Sequence, residues 1–284
     1  MSAPVVWING EMAGSLSPLD RGLHFGDGIF ETIACLRGQP RFLELHLERL
    51  SLGCARLSLP VPELGRLGAA IRGAASQTDR SIVKLLVTRG PALQRGYVCG
   101  GEQGTWLVIR YPWPREDPAL ALSGARVRTA ATRLGENPAL AGLKHCNRLE
   151  QILARNEDRS HEADEALMLS HSGHLVSGTM TNVFLVAGPP EAPRLRTPQM
   201  TLCGVAGIMR RVVLHEAARE GIPACECALM PHDIDGASEV FLTNARIGIW
   251  PVRSIDGRAL AVGPVTRRLQ ERLEPLLGAT DADG

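Results

Sequence analysis

The 284-residue chain carries 31 lysine and arginine side chains, and only Lys84 and Lys144 are lysines. Arginine keeps its proton near neutrality, so it can neither act as a nucleophile nor form an imine. Covalent amine chemistry therefore has two candidates. Lys84 lies inside the apolar run Ser81-Ile82-Val83-Lys84-Leu85-Leu86-Val87, which reads as a strand covered on both faces, where burial would disfavour the ammonium form. Lys144 lies in Gly142-Leu143-Lys144-His145-Cys146-Asn147-Arg148. Leu149, Ile152 and Leu153 follow at helical spacing, which predicts a helix starting close to Cys146 with the positive end of its dipole at Lys144. That field, with burial among Leu140 and Leu143, would lower the amine's pKa and suit it to Schiff-base formation. The residues alone leave both lysines open.

Elements that could position such an amine follow from periodicity. Val5-Val6-Trp7-Ile8 before Asn9-Gly10 predicts a strand and a hairpin turn. A glycine-rich bend spans Leu19 to Gly28 and enters a strand. Leu43, Leu47, Leu50, Cys54 and Leu57 form one helical stripe with His46 and Arg49 on its flank. Trp106 to Tyr111 predicts another strand, and the proline-rich stretch 112–118 marks a domain boundary, giving domains 1–114 and 115–284. Beyond it, 163–170 and 182–186 predict strands around a turn at His171 to His174. Gly204-Val205-Ala206-Gly207 opens a predicted helix over 208–220 that Gly221 ends, and free amides at such a start can cradle a phosphate. A strand over 240–246 that ends in polar residues and a helix over 267–277 precede a short acidic tail read as disordered.

The run Gly135-Glu136-Asn137-Pro138-Ala139-Leu140-Ala141-Gly142-Leu143-Lys144-His145-Cys146-Asn147-Arg148-Leu149-Glu150-Gln151 resembles the active-site segment of the 4-amino-4-deoxychorismate lyases. These belong to the class IV, pyridoxal-phosphate-dependent aminotransferase family, whose two-domain α/β (α+β) architecture is fold type IV, branched-chain aminotransferase-like. Asp20-Arg21-Gly22-Leu23-His24-Phe25-Gly26-Asp27-Gly28-Ile29-Phe30-Glu31-Thr32 and His46-Leu47-Glu48-Arg49-Leu50 are similar to family elements too. The resemblance implies that Lys144 bonds pyridoxal 5'-phosphate and that Arg49 binds its phosphate. It assigns the backbone of Val205 and Ala206, with Asn244 and Ala245, to the phosphate side, and offers Arg95 and Tyr97 as substrate contacts. Where the family has a glutamate paired to the pyridine nitrogen this chain has Ser177, a neutral hydroxyl. The activity implied is conversion of 4-amino-4-deoxychorismate to 4-aminobenzoate and pyruvate in folate biosynthesis, by a homodimer. A D-amino-acid or branched-chain aminotransferase of the same fold is the alternative. A cofactor-binding protein without catalysis is the alternative outside enzymes.

A net charge of +1 and the lack of a dense basic run give no reason to expect a nucleic-acid partner. No stretch is long and apolar enough for a membrane span and no leader pattern opens the chain, so the expectation is a cytoplasmic protein. Cys35, Cys54, Cys99, Cys146, Cys203, Cys225 and Cys227 read as reduced thiols. Cys225-Glu226-Cys227 lacks the second ligand pair a metal would need, so no metal is expected.

Overall fold

Asn9 and Gly10 both take positive φ, 52° and 94°, and close a hairpin between β1 (Val5–Ile8) and β2 (Glu11–Met12) with Trp7 opposite Met12. The computed structural model describes residues 3–12, 15–98, 103–115, 117–158 and 162–278. Cys99 and the acidic tail beyond Gly278 lie outside the described residues. The chain divides into two compact units, one of Met1–Arg115 with Leu143–Asn147, the other of Glu116–Gly142 with Arg148–Gly284. Lys144 thus belongs with the first unit and not with its sequence neighbours on either side.

The first unit continues with α1 (Arg21–Phe25), β3 (Gly28–Leu36), β4 (Gln39–Pro40), α2 (Leu43–Leu57), α3 (Leu64–Ala75), β5 (Arg80–Thr88) and β6 (Thr105–Pro112). Its sheet runs β2-β1-β6-β5-β3-β4, antiparallel throughout. Alternate residues Ile29, Ile33, Val83, Leu85, Val87, Trp106 and Val108 face the stripe of α2 and the buried Leu67 and Ile71 of α3. Burying each larger aliphatic side chain contributes about 1.5–3 kcal/mol. The intervening residues Phe30, Thr32, Lys84, Leu86, Leu107, Ile109 and Tyr111 are only half-buried. The apolar run around Lys84 is therefore covered on one face and half-open on the other, because both long helices of this unit pack on the same side.

Charge holds the bend before β3. Asp20 caps α1 through Gly22 N (2.8 Å) and accepts the Thr88 hydroxyl (3.0 Å). Asp27 accepts Arg21 Nε and Arg89 Nε, each at 2.8 Å, while Arg89 also donates to the carbonyls of Leu57 and Ser58 at the end of α2. Burial would raise the Asp27 carboxyl, but the two guanidinium groups outweigh it and its pKa is lowered.

The second unit contains α4 (Ala119–Ser123), β7 (Ala125–Leu134), α5 (Leu149–Asn156), β8 (Glu165–Ser170), β9 (Leu175–Gly178), β10 (Asn182–Ala187) and β11 (Arg194–Pro198). It ends with α6 (Ile208–Arg219), β12 (Ala224–Cys227), β13 (Glu239–Asn244), β14 (Gly248–Ile255), β15 (Arg258–Ala259) and α7 (Pro264–Leu277). The sheet order is β12-β11-β10-β13-β14-β7-β8-β9, with β15 on β14. One core contains Leu167, Leu185, Leu242 and Val252, and Phe184 stacks on Phe241 with centroids 4.9 Å apart. Among the described residues no helix is long and apolar enough to cross a membrane.

Candidate active site

Leu143–Asn147 joins the edge of the six-stranded sheet at the start of β3. Phe30 N donates to Lys144 O and Cys146 N to Gly28 O, both at 2.9 Å, and Ile29 bridges His145 antiparallel. This register pairs Lys144 with Phe30 on the half-open face and sends Leu143, 6 % exposed, toward the helices. Asn147 packs so closely on Gly26, whose φ is 62°, that a Cβ there would overlap its amide.

Lys144 Nζ lies 4.4 Å from the Phe30 ring centroid, and Lys84 Nζ lies 5.0 Å from the same centroid. The rival amines of the sequence thus meet at one ring. The helix expected near Cys146 begins at Leu149 instead. Cys146 N is taken by strand pairing to Gly28, so the helix starts only after that pairing ends. A helix dipole fades within its first turn, so it gives Lys144 no support.

Arg49 was expected at a phosphate, and here its guanidinium forks onto Glu31: Nε meets Oε1 at 2.8 Å and Nη2 contacts Oε2. His46 Nδ1 shares that carboxylate at 2.6 Å, while its buried Nε2 has no hydrogen-bond partner among the described residues. Burial would raise the Glu31 carboxyl, yet Arg49 and His46 outweigh it and hold its pKa at about 2. Burial likewise lowers the His46 pKa, against the pull of Glu31. Sequence reasoning quoted Glu31 only as part of a motif. Strand alternation puts it on the helix side, and the signal missed was a carboxylate there opposite His46 and Arg49.

Arg95 and Tyr97 are exposed. Their loop is tied down by Arg21, which donates to Gly96 O (2.9 Å) and Tyr97 O (3.4 Å), and the Tyr97 ring lies 5.5 Å from Phe25.

In the second unit Ser177 is 8 % exposed and donates its hydroxyl to Gly178 O at 2.8 Å. The turn that follows wraps the fully buried Glu165 carboxylate, which accepts Thr179 N, Met180 N and the hydroxyls of Thr179 and Thr181. Asn182 Nδ2 donates to Val205 O at 2.9 Å, and a Cβ on Gly207 would overlap its Oδ1. Asn244 Nδ2 donates to Met180 O (3.2 Å) while its Oδ1 accepts Arg246 N and Ile247 N, forming a turn around Ala245. Asn182 and Asn244, the first of them not singled out from sequence, thus gather the segments of Ser177, Val205 and Ala245.

The phosphate loop needs one correction. Ala206 N, expected to face an anion, donates to Gly142 O at 3.0 Å, and Gly142 N donates to Gly204 O at 3.0 Å. That amide serves the segment leading toward Lys144. Val205 N has no acceptor among the described residues, and the first-turn amides of α6 after Gly207 lack intrahelical partners. Arg210, in the same motif, is structural: it donates to Pro198 O (2.9 Å) and Glu226 (2.7 Å).

The profile of the class IV amino-transferase family matches residues 28–255. The chain belongs to the class IV aminotransferase family. Members are pyridoxal-phosphate-dependent enzymes of fold type IV, and this class IV chain has that fold. It is 32 % identical to aminodeoxychorismate lyase of Vibrio harveyi over 94 % of this chain and 98 % of that protein. The crystal structure of 4-amino-4-deoxychorismate lyase from Pseudomonas aeruginosa matches it with TM-score 0.90 and 39 % identity, covering 99 % of this chain and 100 % of that one. Branched-chain amino acid aminotransferase of Escherichia coli matches with TM-score 0.86 and 25 % identity, covering 100 % and 98 %. The residues present fit the family's cofactor chemically. There is an amine for its aldehyde, and Val205 N with the α6 start offers uncommitted donors for a phosphate.

Proposed function

We propose that this chain converts 4-amino-4-deoxychorismate to 4-aminobenzoate and pyruvate with pyridoxal 5'-phosphate, supplying folate synthesis, and that it acts as a homodimer. The observation that carries this reading is Lys144, an amine fixed on the Phe30 face by backbone pairing inside a lyase-like segment. Near-full-length likeness to two lyases supports it.

When bound, the cofactor supplies an electron sink conjugated to the carbon that bears the substrate amine. Lys144 would hold the cofactor through its Nζ, and that amine, when free, would accept the proton from the ring carbon that bears the substrate amine. The carbon–oxygen bond to the enolpyruvyl group breaks as the ring becomes aromatic. Lys144 returns the proton to the enolpyruvate methylene carbon, giving pyruvate. Arg49 serves the phosphate with its fork oriented by Glu31. Val205, through its uncommitted amide, Asn244 and Ala245 serve it as well. Arg95 and Tyr97 contact substrate.

Ser177 is the pyridine-nitrogen residue, and its proton is already given to Gly178 O, so it offers only a lone pair. A weak sink suits a reaction driven by aromatisation better than one that must reprotonate a stabilised carbanion. Ser177→Glu should therefore leave lyase activity within about tenfold; complete loss with cofactor still bound would count against this role.

The test is to incubate the holoenzyme with 4-amino-4-deoxychorismate and no keto acid, then quantify both products beside Lys144→Ala. Equal 4-aminobenzoate and pyruvate, falling by about a thousandfold or more in the variant, are expected. Cofactor absorbance without products, together with amino exchange to a keto acid, would instead indicate the aminotransferase reading. Bound cofactor with no amine turned over would indicate an inert binder.

A further inference from the structure

The mechanism leaves Lys84 unused, although the fold brings the amines of both lysines to one ring. The ladder explains how. Lys84 is paired with Thr32 on one side and Ile109 on the other, in the middle of a strand bonded along both edges. Phe30 is two residues from Thr32 and shares its face, and Lys144 is cross-strand from Phe30. The two amines can be no further apart than their distances to the shared centroid allow. Each ammonium is attracted by the ring face, and each raises the free energy of the other's charged state.

We propose that Lys84 is a positioning residue for Lys144: its fixed positive charge keeps the Lys144 amine in the neutral, nucleophilic form. The inference rests on the reading of Lys144 as the cofactor-bonding amine. Several other charged groups described in the first unit already have partners of opposite sign. Arg49 on α2 is matched by Glu31 on β3, and Asp27 before β3 is taken up by Arg21 and Arg89. His46 on α2 is held toward its neutral form by burial. Tyr111 of β6 also lies on the half-open face. Lys84 has no ion pair among the described residues of this unit. A cation beside a lysine is a recognised way to activate it as a nucleophile.

The experiment is competitive acetylation of cofactor-free protein with acetic anhydride across pH, reading the Lys144 peptide by mass spectrometry. Lys84→Met should raise the Lys144 titration midpoint by about one pH unit, and Lys84→Arg should restore it. Lys84→Gln is the second neutral variant should the methionine protein fail to fold, and near-ultraviolet circular dichroism checks each fold. The visible absorbance that develops on adding pyridoxal phosphate should shift to higher pH by the same amount. An unmoved midpoint in a folded neutral variant overturns the proposal. If KM for the substrate alone then rises, Lys84 is an anion contact instead. The labelling uses neither cofactor nor substrate, so its failure is distinguishable from failure of the lyase reading, which the product assay reports.

Discussion

In the first unit Arg49 is held by a buried carboxylate that also holds His46, whereas in the second unit Val205 and Met180 are held by the neutral amides of Asn182 and Asn244. Both arrangements fix candidate phosphate-side residues, but they fail differently. Removing one member of a buried ionic cluster strands the others as uncompensated charge or polarity. Removing a neutral amide strands one carbonyl. The first arrangement should therefore be costly to break and sensitive to acid, and the second should respond to shape and be indifferent to pH.

The largest effect is expected from Glu31→Ala, which leaves Arg49 and His46 without their shared acceptor. It should cost about 3–5 kcal/mol in urea unfolding. A cost under about 1 kcal/mol would sink the idea that charge holds this cluster. Acid should reveal the same cluster without mutation. The Glu31 carboxyl is depressed from 4.5 to about 2, so its contribution is complete above pH 4.5 and is lost as pH falls from there toward 2, roughly 3 kcal/mol in all. His46, with its pKa also lowered, adds a loss that begins below its ordinary 6.5. Stability measured against pH in Glu31→Gln should lack the Glu31 part of this slope.

Asn182→Ala tests the neutral arrangement. It leaves Val205 O unpaired and should cost about 1–3 kcal/mol by the same unfolding assay, equally at pH 5 and pH 8. A pH-dependent cost would erase the contrast between the units. At the small end, Gly73→Ala in α3, where an added Cβ meets nothing within 4 Å, should stabilise by about 0.5–1 kcal/mol and leave cofactor binding unchanged.

Local rules made much of the scaffold readable. The Asn9-Gly10 hairpin, the α2 stripe and the α6 end at Gly221, whose φ is 69°, follow from short-range sterics and periodicity. What escaped depends on partners distant in sequence. The run around Lys84 looks doubly covered because nothing in it tells how many helices pack on the sheet. The late start of α5 was invisible because it is Gly28 that claims Cys146 N, and the use of Ala206 N was hidden because its acceptor is Gly142. Lys144 could be narrowed to one of two from composition, while Glu31 needed a tertiary partner to become visible. Leu149, Ile152 and Leu153, apolar at helical spacing, are 73, 52 and 59 % exposed, so periodicity located a helix without telling which surface covers it.

The chain leaves the first unit at Arg115, returns to it for Leu143–Asn147, and departs again. On the ribosome this sets an order of events. A nascent chain that has emerged only to Arg115 lacks the segment that pairs with Gly28 and Phe30, so the beginning of β3 stays an open edge, available to other chains. A truncated 1–115 fragment carries that edge permanently. The stretch bearing the reactive amine is thus the last part of the first unit to be synthesised, and that unit cannot finish folding before its lysine exists.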